Sequence, residues 1–543
     1  MDKLQLAHRD VVGLCALGVV AIAYFYARGS LPNNEPITTF VPLNVRWEPW
    51  HLVFLLGLLG IAYRAASRPP ASSTMLHLSR WWSQASRGRT LLVLAAGVVA
   101  VAWTGALTVH HNCPMTPDEY AAWFQARIFT TGRIAAVVPA EWRDFADAIA
   151  PMFVRYDPQT GTWASQYLPV HAAMLTPFVA IGQPALLNPL LAGLSVLLIA
   201  AVSRRLWPEW RAAAPLAATL LAVSPQFLVN SMSFYAMPAH LCLNLLWLYL
   251  WLRDDRRGDA LALLVGAAAL GLHQFVPHAL FVAPFFLYMA WRGSYSRLAW
   301  YLPMYIAALA FWWSWLQKLV PHVQGNISAA FGWPFGREAP LFLSLHTMNL
   351  LLLVSWQSIA VTVPAAYAVR AGALRGPMVP IAAGLILTFA FYLFFLFDQA
   401  VGWGYRYTYP VLGNLTLLGV AGWRALRPEL PLGRRAAFLA VGLLGAVLFQ
   451  LPYRLVQTER NVRPFARTLS HIKSFPEPVV VVDDQGWIWA RNDPLFQYGP
   501  IIVSGRKLRD DYRRPMKDHL DALQALAPLR VIQADEVSPS SLR

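Results

Sequence analysis

Along most of the chain, long apolar runs alternate with short polar blocks. Charges gather between the runs, as in Ser203-Arg204-Arg205, Arg253-Asp254-Asp255-Arg256-Arg257 and Gly433-Arg434-Arg435. A helix needs roughly 20 predominantly apolar residues to cross the hydrocarbon core of a bilayer. By that measure there are about thirteen candidate spans, near 11–28, 50–63, 90–109, 184–203, 212–229, 236–252, 259–275, 278–291, 298–317, 347–369, 377–397, 408–424 and 435–452. Shorter runs such as Trp50 to Tyr63 continue into aromatic flanks that suit the membrane interface. The first run extends into Tyr24-Phe25-Tyr26 and lacks a small-residue cleavage site, so it reads as a span rather than a signal peptide. The expected fold is an all-α polytopic membrane protein.

From about Tyr453 the pattern changes. Residues 479–483, 500–504 and 529–534 are apolar runs of strand length, and Tyr512 to Leu526 has helical spacing. Together they predict a small α/β domain over 453–543 that caps the exterior loops. Two loops, 110–183 and 318–346, far exceed the roughly 2 to 8 residues that join packed helices. Residues 1–89 then hold two spans and a basic loop, and 90–452 hold the remaining spans with both long loops.

Composition agrees with a membrane protein: 57% of residues are hydrophobic and 13% charged, against about 25% charged in soluble domains. With the N-terminus in the cytoplasm, most Lys and Arg of the membrane part fall inside, including Arg64, Arg68, Arg80, Arg87 and Arg89. An odd number of spans puts the tail outside. The net charge of +16 reads as topology-setting Arg that meets anionic lipid, and no nucleic-acid motif accompanies it. Cys15 and Cys242 fall in spans and only Cys113 in a loop, so neither an internal disulfide nor a zinc ribbon is expected. The chain has no GxGxxG or Walker sequence, which leaves ATP-driven transport unsupported.

Candidate chemistry concentrates in loop 110–183, which opens His110-His111-Asn112-Cys113-Pro114-Met115-Thr116-Pro117-Asp118-Glu119-Tyr120. Thr116 is a good N-cap, Pro117 suits the first helical position and Glu119 completes a capping box. The helix is expected to run to about Thr131 and stop at Gly132. Tyr120, Trp123, Phe124, Arg127 and Ile128 share one face, expected to lie on the bilayer. Asp118, Ala121, Ala122 and Gln125 lie on another. A helix N-terminus favours an ionised Asp118, able to take a proton from a hydroxyl or to bind a metal. First-turn acids are also ordinary helix stabilisers, and capping alone accounts for Glu119.

Several segments resemble the GT-C glycosyltransferases, multi-spanning enzymes that use lipid-phosphate-linked sugars. The nearer relatives are the protein mannosyltransferases and the bacterial aminoarabinose transferases that modify lipid A. The matching segments are Pro117-Asp118-Glu119-Tyr120 with Phe124-Gln125-Ala126-Arg127 and Gly132-Arg133, then Ser165-Gln166-Tyr167-Leu168-Pro169-Val170-His171, where Val170 replaces the usual Gly. Asn188 to Gly193, Ser224-Pro225, Ser231 to His240, and Gly404-Tyr405-Arg406-Tyr407 with Pro410 follow in order. The resemblance covers roughly 90–452 and leaves the first two spans as an addition. It implies a bacterial inner-membrane enzyme with a polyprenyl-phosphate sugar donor, a lipid, glycan or protein acceptor, and a periplasmic active site. It implies that Asp118 is the catalytic base or sits at a metal.

Donor phosphate calls for cations. Arg406 is the first candidate, though an interfacial Arg that snorkels has the same signature. His273 and His278 flank another exterior turn and serve either a phosphate or a plain polar turn. Lys318, His322, Arg337 and His346 bracket the loop 318–346, with Arg337 a further phosphate candidate. Glu119, Asp157, His171 and Asp398 are candidate acceptor-binding or metal-binding groups. A divalent metal held by His110, His111 and Asp118 is the one candidate cofactor, although the spacing fits no defined motif. Trp142, Trp163 and Trp403 suit either sugar stacking or interfacial anchoring. Two other functions fit parts of the pattern. A transporter or flippase of lipid-linked glycans would need ionisable residues inside the spans and related halves. An O-antigen-ligase-like transferase using pyrophosphate-linked glycans would shift weight from Asp118 to exterior Arg and His.

Overall fold

Apolar runs fold as helices because a bilayer offers the backbone no other hydrogen-bond partner than its own chain. The computed structural model describes residues 19–20, 44, 47–67, 88–319, 339–395, 402–483, 488–511, 514–533 and 536. Among them, Glu48–Ser67, Gly88–Thr108, Pro184–Leu206 and Leu432–Lys473 are long and apolar enough to cross a membrane. Two expected spans, 212–229 and 347–369, are bent. Ala213–Ala222 meets Pro225–Ser231 at 62°, and Leu345–Ser355 meets Ile359–Arg370 at 110°, which raises the count to six if each bent pair is one span.

The bends have local causes. Pro225 brings no N–H to the first turn, and Ser224 caps the new helix by accepting from Phe227 N (3.2 Å). Ser358 likewise accepts from Ala360 N (3.2 Å). A break inside a membrane must be satisfied by protein, and these two satisfy each other. Ser224 Oγ donates to Gln357 Oε1 (2.8 Å), Gln357 Nε2 to Gln226 Oε1 (2.7 Å). Gln226 Nε2 then donates to the Tyr405 carbonyl and Asn230 Nδ2 to the Trp403 carbonyl, both at 2.8 Å. The breaks thus grip the segment that presents Arg406.

The Glu48–Ser67 helix is joined to the rest by a buried ion pair. Arg454 Nη1 and Nη2 donate to Glu48 Oε1 and Oε2 at 2.5 and 3.0 Å, with neither side chain exposed. Ser355 Oγ donates to the same carboxylate (2.8 Å), and the Trp356 ring lies under the guanidinium. Composition did not single out either charge, since each sits at the edge of an apolar run.

Among the described residues, two three-stranded sheets stand outside the long helices. Strands β1 (Ala136–Val137), β2 (Val154–Asp157) and β3 (Thr162–Ser165) form an antiparallel sheet in the order β1-β3-β2. Strands β4 (Val479–Asp483), β5 (Ile501–Ser504) and β6 (Leu529–Gln533) form a parallel sheet in the order β5-β4-β6. The run expected as a helix over 512–526 forms one from Met516 to Leu526. Because β4 is central and covered on both faces, it is apolar from Val479 to Val482. Val479 and Val481 pack in one cluster with Tyr120, Phe124 and Ile128, and Val480 and Val482 in another with Phe465, Leu469 and Ile472.

That packing corrects the bilayer-lying helix. Tyr120, Phe124 and Ile128 are buried against the parallel sheet, because valine faces from a segment more than 300 residues downstream cover them. It also removes the tryptophans from sugar contact. Trp163 is buried, stacks on Phe496 and donates to the Pro494 carbonyl (3.1 Å). Trp142 packs with Phe145, and Trp403 lies edge-on to His110.

Candidate active site

The helix Pro117–Phe129 begins as its sequence dictates. Glu119 N donates to Thr116 Oγ1 (3.4 Å) and Thr116 N donates back to Glu119 Oε2 (2.7 Å). The other Glu119 oxygen accepts from Phe234 N (2.9 Å), stitching the helix to the 225–236 segment. Burial raises the Glu119 pKa, and these hydrogen bonds offset part of that. Both oxygens are committed to structure, which leaves Glu119 poorly placed to meet an acceptor or metal.

Asp118 points elsewhere, since neighbours on a helix diverge by about 100°. Its carboxylate receives Arg406 Nη1 on Oδ2 (3.2 Å) and the Tyr167 hydroxyl on Oδ1. His273 Nε2 lies 3.8 Å from Oδ1, with its ring against Tyr167, centroids 3.5 Å apart. Burial alone would raise the Asp118 carboxyl. Arg406 foremost, then His273 and the bonds from Tyr167 and Arg406, outweigh it and hold the group below the usual carboxylate range. The side chain keeps 19% exposure, so it is reachable. Burial pushes His273 down to about 4, leaving it neutral at pH 7.

Arg406 is buried and packed by two aromatic rings. Its guanidinium lies over Tyr235 (4.9 Å) and Tyr407 (5.2 Å). Gly404 (φ 74°) makes the turn that leads to it, in a conformation a side chain would strain. This is a fixed cation beside an ionised carboxylate, a pairing the linear sequence separates by 288 positions.

Other expected residues go different ways. His171 is buried, near the Phe234 carbonyl (3.3 Å), at the start of the Val170–Ala180 helix. His278 is buried between Asn244 Oδ1 (2.7 Å) and Tyr305 OH (2.9 Å), which makes it a packing residue rather than a phosphate ligand. Asp157 closes the β2–β3 turn, accepting from Gln159 N (3.0 Å) and Thr160 Oγ1 (2.8 Å). The triad proposed for a metal does not assemble. His110 is buried against Trp403, His111 faces Glu459 (3.5 Å) and Asp118 faces Arg406. Among the described residues no three His, Cys, Asp or Glu side chains group as metal ligands. Lys318 ends an exposed helical turn and His346 is buried, while His322, Arg337 and Asp398 lie outside the described residues. Tyr167 and Tyr235 were not anticipated as site residues, although Tyr167 sits in the Ser165–His171 segment that the resemblance singled out.

No protein-family model and no curated protein is significantly similar to the sequence. Solved structures are. ArnT from Cupriavidus metallidurans in the apo state matches with a TM-score of 0.51 at 14% identity, over 76% of this chain and 85% of that one. The chain has the fold of ArnT. A second ArnT structure from the same organism, bound to undecaprenyl phosphate, matches at 15% identity with a TM-score of 0.48, over 82% of this chain and 90% of that one. The likeness to apo ArnT agrees in kind with the GT-C resemblance read from the loop motifs.

Proposed function

We propose that this protein is an inverting glycosyltransferase. It moves a sugar from a polyprenyl-phosphate donor to an acceptor hydroxyl on the outer, periplasmic face of a bacterial inner membrane. The observation that carries the reading is the contact between the ionised Asp118 carboxylate and the Arg406 guanidinium. An ArnT-like fold supports it. About thirteen spans, a cytoplasmic N-terminus and an exterior tail belong to the same proposal.

The chemistry needs one base and one cation. The acceptor oxygen attacks the anomeric carbon, and Asp118 takes its proton. The bond from that carbon to the phosphate oxygen breaks, and its electron pair stays on the departing polyprenyl phosphate. A single displacement inverts the anomeric configuration. The phosphate gains one negative charge as it leaves, and a preorganised guanidinium answers that charge without reorganising. In the resting protein Arg406 lowers the basicity of Asp118. A donor phosphate that engages Arg406 weakens this hold as the base is needed. Tyr167 keeps the carboxylate oriented meanwhile.

The test is transfer from undecaprenyl-phosphate-linked sugars by the purified full chain. Asp118→Asn keeps size and removes the base, and is expected to lower kcat by about 10²–10⁴-fold. Wild-type turnover by that variant sinks the base role. Arg406→Lys keeps charge but loses the fork, and is expected to raise donor KM and lower kcat together.

A further inference from the structure

We propose that Arg491, in the segment between β4 and β5, is a positioning residue for Asp118. Its guanidinium gathers the carbonyls that lead into the Pro117–Phe129 helix. Arg491 Nη1 donates to the Pro114 carbonyl (3.2 Å) and the Thr116 carbonyl (3.1 Å), and Nη2 to the Met115 carbonyl (3.0 Å). The fourth bond, from Nε to the Ile488 carbonyl (2.8 Å), anchors the side chain to its own segment. The group is 3% exposed and lies between the rings of Tyr120 (4.8 Å) and Phe465 (5.4 Å). The inference rests on the reading of Asp118 as base.

Three successive carbonyls aimed at one cation fix the path of the backbone just before the helix begins. Thr116 is the N-cap, and Asp118 is two residues on, so the direction of its carboxylate follows from that path. Burying a guanidinium is expensive unless its hydrogen bonds are made, and here every nitrogen is used. The same segment holds the rest of the helix. Tyr120 OH donates to the Asn492 carbonyl (3.0 Å), and Arg127 reaches Asp493 Oδ1 (3.5 Å) and Gln497 Oε1 (2.8 Å). Arg491 makes no hydrogen bond to Asp118 itself and positions it through the backbone at 114–116, with the charge of the guanidinium nearby. A base that must meet a hydroxyl loses rate steeply with small displacements. The C-terminal segment is therefore a working part of the site rather than a lid over loops.

Arg491→Gln, Arg491→Lys and Asp118→Asn in the full chain, reconstituted in nanodiscs, test this against an undecaprenyl-phosphate-linked sugar that the wild type turns over. Arg491→Gln is expected to lower kcat on the order of 10- to 100-fold while donor KM stays within about threefold of wild type. Arg491→Lys, with a charge but no fork, is expected to recover part of the loss. Wild-type kcat in Arg491→Lys and Arg491→Gln, beside an inactive Asp118→Asn, overturns the positioning role and leaves the base intact. A loss that merely tracks the fraction of folded protein also overturns it. An active Asp118→Asn overturns the base reading instead. Should Arg491→Gln fail to fold, Arg491→Lys and Tyr120→Phe, which removes only the bond to Asn492, decide by the same split between kcat and KM.

Discussion

Tyr167 donates its hydroxyl to Asp118 Oδ1, and burial holds its phenol well above the ordinary value, so it remains a donor at any working pH. That bond favours the ionised carboxylate. Removing it with Tyr167→Phe raises the Asp118 pKa, so the acidic limb of the pH–rate profile is expected to move to higher pH. An unmoved limb beside a fall in kcat would assign Tyr167 to orientation alone. Three buried imidazoles set a second pH dependence. His110 is held at about 3, and His171 and His273 at about 4, in each case chiefly by burial, against an ordinary 6.5. As pH falls from 6.5 toward about 4 the unfolded chain takes up protons that the folded chain refuses. Stability therefore falls with pH across that window, by up to about 1.4 kcal/mol per pH unit for each group. Tm should drop steadily between pH 7 and 5. A flat Tm would mean that these rings are solvated.

At the scale of elements, the sequence announces starts and stops better than neighbours. Thr116, Pro117 and Glu119 specify the head of the Pro117–Phe129 helix, and the capping box forms as their chemistry requires. Ser224-Pro225 marks a helix start, yet composition alone passes smoothly through it and reads one span. A bend of 110° at 356–358 has no proline to announce it and depends on Gln226 lying opposite. Helix contacts are equally invisible. A Cβ on Gly422 would meet the Pro364 carbonyl at 1.8 Å, so Ile359–Arg370 and Leu412–Ala425 touch through that glycine. Gly422→Ala is expected to destabilise by about 1–3 kcal/mol. Gly57, with nothing near its would-be Cβ, should accept Ala with no loss and a gain of up to about 1 kcal/mol. Thermal unfolding of the two variants in one detergent compares them directly.

For the molecule as a whole, Glu48 and Arg454 join the Glu48–Ser67 helix to the helix that carries the parallel sheet. Glu48→Gln leaves a buried guanidinium without its counter-charge and is expected to cost about 3–5 kcal/mol. Replacing the pair together by Leu and Met removes both charges and should recover most of that, as read by Tm in a double-mutant cycle. Recovery by neither route would place the effect outside the pair. The sequence by itself determined the membrane character, the helical runs, the capped helix with Asp118 at its head, and the three strands near the C-terminus. Each follows from local terms: apolar length, capping chemistry and strand-length valine runs. Only the tertiary structure decided that Arg406, Tyr167 and His273 meet at Asp118, that His278 is used in packing, and that Arg491 grips the backbone at 114–116. The contacts at Asp118 and those of Arg491 join residues 49 to 377 positions apart. Their partners are chosen by which buried polar groups must be satisfied once the helices and sheets have packed, and no local pattern records that choice.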